Sequence, residues 1–310
     1  MDRDSRGGLG ELGELGGLFV GLCTLDVIQL VDHVPAPDEK LTALAQTVAA
    51  GGPAANAAAA YAHLGGAATL LTGIGRHPLA TGVTADLAAL GVRVVDLDPD
   101  RAEPPAVSSI LVTAGTGQRA VASLNTAGRP LPAPTEPTAV RDLADLVAAA
   151  SVVELDGHHM ELATAVARTA RAAGRLTLLD GGSWKPRTAE LLPWIDVAVC
   201  SADFHPPGTA TPRETLAFLA AHGVPWAAVT QGPGPILWSG PDAHGELPVP
   251  PTADIADTLG AGDILHGALA HYLPPRLTTP ADLLAPLTRA SAIATTSCAS
   301  FGTRTWMHTP

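Results

Sequence analysis

Apolar residues recur along this chain with two spacings, which alternate from residue 18 onward. Short apolar runs of about 4–8 residues are typical of buried strands, and longer stretches with apolar residues at helical spacing are typical of helices. The predicted strands are 18–22, 67–74, 92–95, 107–113, 118–124, 152–155, 176–179, 197–200 and 226–230. The predicted helices are 53–64, 78–90, 138–150, 160–173, 212–222, 261–272 and 281–299. This alternation predicts an α/β fold with a mostly parallel central sheet covered by helices on both faces.

Two segments interrupt the alternation, at about 27–49 and 107–125, because each is strand-like and no helix follows it. The second contains Gly115-Thr116-Gly117, which predicts a hairpin turn. We expect the two segments to form a small separate sheet that acts as a lid. The Gly-rich residues 1–16 predict a flexible lead-in, and 17–310 a single domain.

The composition disfavours several classes of partner. The chain has 18 Lys+Arg against 30 Asp+Glu, a formal net charge of −12, and an acidic surface disfavours nucleic acid and anionic membranes. No apolar run approaches the roughly 18 residues of a membrane span, and the N-terminus lacks a signal-peptide profile. The 3 cysteines lie far apart, as expected of reduced thiols. We therefore expect a cytoplasmic protein.

One segment carries most of the chemical signal, the run Asp257-Thr258-Leu259-Gly260-Ala261-Gly262-Asp263 ahead of a helical pattern. Small residues at a helix start leave the backbone N–H groups of 260–262 open to an anion, which the helix dipole also favours. The positive helix end is expected to keep Asp263 ionised. Amides that hold a phosphate beside a carboxylate that takes a proton suit phosphoryl transfer to an alcohol. The alternative is that Asp263 only caps the helix.

A second segment bears on these two interpretations. Ala50-Gly51-Gly52-Pro53-Ala54-Ala55-Asn56-Ala57, taken with 257–263, resembles the signature elements of the ribokinase-like (PfkB) carbohydrate kinases, and the resemblance spans about 18–305. It implies a ribokinase-like three-layer α/β/α fold with a small β-sheet lid. It implies an ATP-dependent kinase for a hydroxyl of a sugar or sugar-like molecule, with Asp263 as base and the 260–262 amides as anion hole. Mg²⁺ is implied as cofactor, and a monovalent cation such as K⁺ is compatible with it.

The resemblance also assigns residues to the two substrates. The acceptor residues are Asp26, Gly51, Gly52, Asn56, Arg119 and Asp156. The nucleotide-binding residues are Thr230, Gly232, Asp257 and Thr258. Carboxylate and amide groups can bond adjacent hydroxyls, and glycines permit close approach of the backbone. Asp156 ends a strand, where ligand crevices of open α/β sheets lie. A satisfied buried amide is the alternative for Asn56, and a surface position for Arg119.

One segment departs from the family pattern. Ser201-Ala202-Asp203-Phe204 stands where many members carry Asn-x-x-Glu, which organises Mg²⁺ and phosphate, so the metal ligands are unassigned. A catalytically weak sugar- or nucleotide-binding regulator therefore stays an alternative. A nucleoside kinase is another, although the substrate half offers few aromatic side chains beyond Phe19 and Tyr61. The sequence identifies neither the acceptor nor the hydroxyl that is phosphorylated.

Small sheets often pair edge to edge, so we expect a homodimer through 27–49 and 107–125.

Overall fold

Residues 16–127, 129–252 and 254–308 are described by a computed structural model. The strands are β1 Gly16–Val20, β2 Thr24–Val31, β3 Ala45–Gly51, β4 Ala68–Thr72, β5 Arg93–Asp96, β6 Ala106–Thr113, β7 Arg119–Ser123, β8 Ala150–Leu155, β9 Leu176–Gly181, β10 Val197–Ser201, β11 Trp226–Gln231, β12 Gly234–Ser239 and β13 His244–Leu247. The helices are α1 Pro53–His63, α2 Pro78–Ala89, α3 Pro137–Ala148, α4 Met160–Ala172, α5 Thr188–Leu191, α6 Pro212–Ala221, α7 Ala261–Tyr272 and α8 Pro280–Ser297, with short 3₁₀ turns at Leu192–Trp194 and Thr305–His308.

The large sheet is parallel except at one edge. Within the described residues its nine strands run in the order β13-β12-β11-β10-β9-β8-β1-β4-β5, and only the β11–β12 and β12–β13 pairs are antiparallel. From β1 the chain proceeds outward through β4 and β5, and then returns to the other side of β1 at β8. The order therefore reverses between β1 and β8, and ligands of open α/β sheets bind beyond the carboxyl ends of the strands at such a point.

The predicted separate small sheet is confirmed. Its four strands within the described residues have the order β3-β2-β6-β7. The strands extend beyond the predicted segments, since β2 begins at Thr24 and β3 ends at Gly51. The predicted flexible lead-in lies almost wholly outside the described residues, and its last residue, Gly16, is already part of β1.

Helices cover both faces of the large sheet, as the alternation predicted. Buried side chains of α1, α2, α7 and α8 pack on one face, and those of α3, α4, α5 and α6 pack on the other. The strands β12 and β13 were not predicted, because the Gly232-Pro233-Gly234-Pro235 sequence is typical of a loop. In the described part of the chain, no helix combines the length and hydropathy needed to cross a membrane.

The helices α1 and α7 approach each other unusually closely. Their contact is built from small residues, since the buried face of α1 is almost entirely alanine. A Cβ atom on Gly267 of α7 would overlap the carbonyl oxygen of Ala57 in α1. Close backbone approach therefore depends on the absence of a side chain at this position.

We expect Gly267→Ala to lower the free energy of unfolding by about 1–3 kcal/mol, because the added methyl group overpacks the α1–α7 contact. Gly82→Ala is the matched control, since its Cβ would meet nothing within 4 Å on the exposed side of α2. That change should raise stability by about 0.5–1 kcal/mol, because alanine favours the helix. Urea denaturation of both variants measures the difference, and equal effects would contradict the packing argument.

Candidate active site

The start of α7 presents an open backbone turn. Gly260 precedes the helix with φ of 72°, the left-handed conformation that favours glycine. The Ala261 N–H reaches Thr258 O at 3.4 Å and the Ile264 N–H donates to Gly260 O at 2.8 Å. The helix itself offers no partner to the N–H groups of Gly262 and Asp263. A Cβ on Gly262 would meet nothing within 4 Å, so the turn is open on that side. This geometry suits an anion.

Asp263 is held against α1 by a short hydrogen bond. Asn56 Nδ2 donates to Asp263 Oδ2 at 2.7 Å, and Asn56 itself is buried in the alanine face of α1. The close approach of α1 and α7 therefore brings an amide donor to the carboxylate. The sequence separated these residues by more than two hundred positions.

Burial opposes the ionisation of Asp263 that the helix end was expected to favour. Burial, and next the nearby carboxyl of Asp180, raise the pKa of Asp263 to about 7, although the hydrogen bond from Asn56 and the charges of His266 and Arg119 act in the opposite direction. Loss of hydration disfavours the charged form more strongly than one helix terminus favours it. Asp263 therefore has the pKa of a group that exchanges a proton near neutral pH.

Arg304 fixes the orientation of Asn56. Its Nη1 donates to Asn56 Oδ1 at 2.9 Å and its Nη2 donates to Ala50 O at 2.7 Å. A guanidinium can only donate, so the amide oxygen must face Arg304 and the amide nitrogen must face Asp263. The three side chains form a hydrogen-bonded row, Arg304–Asn56–Asp263, that runs from the C-terminal segment to α7.

A second buried layer lies behind this row. His266 Nδ1 faces Gly262 O at 2.7 Å, and its Nε2 faces Val199 O at 2.9 Å. Asp180 Oδ2 lies 3.4 Å from the Nδ1 atom of the same ring. Neither oxygen of the fully buried Glu154 has a hydrogen-bond partner among the described residues. Burial raises the pKa of Glu154 well above its usual range, which favours the neutral form of this carboxyl.

The predicted acceptor residues Asp26, Gly51 and Gly52 lie together where the small sheet meets the large one. Asp26 is buried and accepts a hydrogen bond from Thr24 Oγ1 at 2.6 Å. A Cβ on Gly51 would overlap the Asp26 carboxylate, and one on Gly52, which has φ of 91°, would overlap Leu22 O. The two glycines are therefore required by the close approach of β3 to Asp26 and to the end of β1.

Asp156 joins three segments at the point where the strand order reverses. Its Oδ2 accepts from Leu22 N at 2.7 Å and Ala54 N at 3.3 Å, and its Oδ1 accepts from His158 N at 2.8 Å. The carboxylate thus links the ends of β1 and β8 to the start of α1. Its contact with an acceptor stays a prediction.

Arg119 contacts the segment that precedes α7. Its Nη1 donates to Thr258 Oγ1 at 3.1 Å, and Thr258 N and Oγ1 both donate to Gly117 O, at 3.2 and 2.9 Å. Asp257 is buried and accepts from Leu259 N at 2.8 Å and Gly302 N at 2.9 Å. The hairpin tip of the small sheet therefore contacts the segment that leads into the open turn at the start of α7.

The other two predicted nucleotide residues lie at the end of β11. Thr230 is half-buried, with its Oγ1 3.4 Å from Cys200 O, and Gly232 is exposed with φ of 58°. No group of three or more His, Cys, Asp or Glu in the described ranges is arranged to hold a metal ion.

Three residues of the site were not found from the sequence, and two of them gave a signal. Asp180 is near the end of β9, as Asp156 follows the end of β8, so the same strand-end argument applies to it. Glu154 is a charged residue within an apolar run that is typical of a buried strand. Arg304 stands in a short polar segment without periodicity, and nothing in the sequence singles it out.

Comparison with known proteins gives consistent results. A family model described as pfkB family carbohydrate kinase matches residues 18–310. The solved structure of a "putative ribokinase" from Agrobacterium tumefaciens is 26% identical, with a TM-score of 0.80 over 95% of this chain and 94% of that one. A ribokinase from Arabidopsis thaliana complexed with ribose and ATP is 21% identical, with a TM-score of 0.73 and coverage of 93% and 94%. An adenosine kinase from Sinorhizobium meliloti is also 21% identical, with a TM-score of 0.75 and coverage of 93% and 95%. The last two similarities show a shared fold.

We expect Asn56→Ala to raise the pKa of Asp263 above about 7, because the lost amide hydrogen bond stabilises the ionised carboxylate. Titration of ¹³C-labelled aspartate by NMR measures this pKa, and the spectrum of Asp263→Asn assigns the resonance. Gln29→Ala, which removes only an exposed amide contact to Gln46, is the control and should leave the titration unchanged. An unchanged midpoint in Asn56→Ala would contradict the role of the hydrogen bond.

Proposed function

The chain belongs to the pfkB family of carbohydrate kinases, and from that premise we propose that it transfers the γ-phosphoryl group of ATP to a hydroxyl of a sugar or sugar-like molecule. One observation carries the proposal: the Asp263 carboxylate is held at 2.7 Å by Asn56 beside an open helix N-terminus. A base and an anion site that adjoin each other are the two parts that phosphoryl transfer to an alcohol requires.

In the proposed reaction, Asp263 accepts the proton of the acceptor hydroxyl. The resulting oxygen forms a bond to the γ-phosphorus, and the bond from that phosphorus to the β,γ-bridging oxygen breaks, releasing ADP. The N–H groups at the start of α7 stabilise the negative charge on the transferred group. A base with a pKa of about 7 is suited to this proton transfer at neutral pH.

The acceptor is proposed to bind between Asp26 and Asp263, at the point where the strand order reverses. The Asn56 amide is engaged by Arg304 and Asp263, so its proposed role is to orient the base as well as to contact the acceptor. Gly51 and Gly52 admit the acceptor close to the backbone. Asp156 and Arg119 are also proposed to contact the acceptor.

ATP is proposed to bind along Thr230, Gly232, Asp257 and Thr258. Mg²⁺ would accompany the nucleotide and would offset the negative charge of its phosphates. The described residues include no metal cluster, so no protein ligand to Mg²⁺ is assigned. Dependence on a monovalent cation such as K⁺ stays a prediction.

A nucleoside kinase of the same fold is the second candidate. The aromatic rings of Phe19 and Tyr61 are buried in the core with their centroids 5.3 Å apart, so neither is available to stack on a base. A sugar is therefore the favoured acceptor. A catalytically weak regulator stays the third candidate, because Ser201 and Asp203 replace the family's Asn-x-x-Glu pattern.

We expect Asp263→Asn to lower kcat by about 10²–10⁴ while the protein remains folded, because the variant lacks the base. ADP release in a coupled assay, over a panel of sugars, sugar acids and nucleosides, measures turnover and also separates the three candidates. The wild-type rate should fall as the pH falls through about 7, since protonated Asp263 cannot accept a proton.

Asp242→Asn, an exposed aspartate, is the matched control and should retain wild-type turnover. Wild-type turnover in Asp263→Asn would refute the assignment of the base. Ligand-induced thermal stabilisation of the wild type without turnover of any acceptor would favour the regulator.

We also propose a homodimer through the small sheet. Large apolar side chains are exposed on or beside its edge strands β3 and β7, namely Leu44 (61% exposed), Val48 (50%), Val121 (52%) and Leu124 (70%). Exposed strand edges with apolar residues favour pairing between chains. This arrangement would place the interface beside the acceptor site.

Light scattering should give the mass of a dimer for the wild type, and Val48→Glu should shift it toward a monomer, because a charge at the sheet edge opposes association. Leu97→Glu is the control, since Leu97 is exposed but follows β5, away from the small sheet. A wild-type monomer at assay concentration would refute the proposal.

A further inference from the structure

A cavity of about 240 Å³ opens at the carboxyl ends of the strands next to the acceptor residues. Its inner wall comes from the large sheet, where Leu22 and Cys23 follow β1, Gly73 follows β4 and His159 follows β8. Its outer wall is formed by residues that lead into β6 and residues that follow β7. The cavity therefore lies between the large sheet and the small one.

The cavity adjoins the acceptor site through shared backbone. The Leu22 N–H donates to Asp156, and the wall residues Ala106 and Val107 pair with Thr24 and Leu25 directly ahead of Asp26. Asp26, Asp156 and Asp263 are not themselves among the lining residues. A molecule that presents a hydroxyl to Asp263 could thus extend its other end past Asp26 into this space.

The cavity wall is basic in a chain that is strongly acidic. Arg101 and Arg129 line it, and none of the described lining residues is Asp or Glu, although the chain has 30 Asp+Glu against 18 Lys+Arg. The only acid that touches Arg101 is Asp98 among the described residues, at 3.5 Å and 43% exposed. Because Asp98 is exposed to solvent and lies 3.5 Å away, this pair is weak and leaves most of the positive charge of Arg101 unbalanced.

Arg101 is fixed in place and still has an unused donor. Its side chain is 11% exposed, and its Nη2 donates to Gly73 O at 2.8 Å. Its buried Nε has no hydrogen-bond partner among the described residues. Its Nη1 contacts the exposed Asp98 at 3.5 Å, so the guanidinium keeps a donor for an anion in the cavity that Arg101 lines.

His159 adds a neutral donor to the same wall. Its Nδ1 accepts from Leu131 N at 2.9 Å, so the ring proton is on Nε2. Burial lowers the pKa of His159 to about 4, which keeps the ring uncharged. The wall thus combines two guanidinium groups with an N–H donor, a set that suits the several oxygens of one anionic group.

We propose that this cavity is an anion subsite of the acceptor pocket, and that the acceptor is an acidic sugar whose carboxylate or phosphate group binds Arg101 and Arg129. This inference rests on the proposed kinase function and names the class of its acceptor. The phosphorylated hydroxyl is at the opposite end of the acceptor, beside Asp263.

The test compares neutral and acidic acceptors of the same carbon skeleton. Initial rates are measured with ribose, ribonate and ribose 5-phosphate, and with fructose, 2-ketogluconate and fructose 6-phosphate. We expect an acidic member to have a KM lower than its neutral counterpart by roughly ten-fold or more, the effect of one charged hydrogen bond. Whether the carboxylate or the phosphate is preferred distinguishes the two anions. Added salt should raise the KM of the acidic acceptor only.

Arg101→Gln and Arg129→Gln should raise the KM for the acidic acceptor by roughly ten-fold while the KM for the neutral one is unchanged. Arg129 is exposed, so its variant folds even if the buried Arg101 variant does not. Arg213→Gln is the matched control, because Arg213 does not line the cavity and, within the described residues, pairs only with the exposed Glu246.

Two further outcomes separate the inference from the proposed function. Turnover that is fastest with neutral sugars, or Arg129→Gln affecting neutral and acidic acceptors equally, would overturn the anion subsite and leave the kinase assignment intact. Absence of turnover with every acceptor would refute the kinase function, and the inference with it.

Discussion

The hydrogen bond between Asn56 and Asp263 is the contact on which the rest of the site depends. It exists because α1 and α7 pack almost backbone to backbone, which only alanine and glycine at the contact permit. Arg304 completes the arrangement by fixing which end of the amide faces the carboxylate. A larger side chain in the contact would separate the helices and remove the donor from the base. The small-residue composition of these helices thus serves the chemistry as well as the packing.

Desolvation sets the electrostatics of the site. The positive end of α7 favours an ionised carboxylate, yet burial and the neighbouring Asp180 raise the pKa of Asp263 to about 7. The same burial raises the pKa of Glu154 well above its usual range, and it places His266 against two backbone carbonyls and Asp180. A buried charge persists where hydrogen bonds or an opposite charge replace water.

The two sheets define where the acceptor is proposed to bind. Asp156 ties the strand ends of the large sheet to α1, and Asp26 with its glycines connects that junction to the small sheet. The hairpin tip is seated on the segment before α7 through Gly117 and Thr258. Movement of the small sheet would therefore change the surroundings of both the acceptor and the open turn at the start of α7.

The sequence by itself determined the layered α/β fold, the separate small sheet and the segment that begins α7. These features follow from local spacing, since apolar periodicity, turn residues and a glycine-rich helix start act over a few neighbouring positions. The two antiparallel edge strands escaped prediction because Gly and Pro at the start of β12 give the local signal of a loop.

Only the tertiary structure decided the pKa of Asp263 and which side chains surround it. Arg304, Asn56 and Asp263 come from three distant segments, and the pKa of a carboxyl depends on how much water the surrounding fold removes. The basic wall formed by Arg101 and Arg129 likewise joins segments that carry no shared sequence signal. Burial and juxtaposition are properties of the packed chain, so no local pattern encodes them.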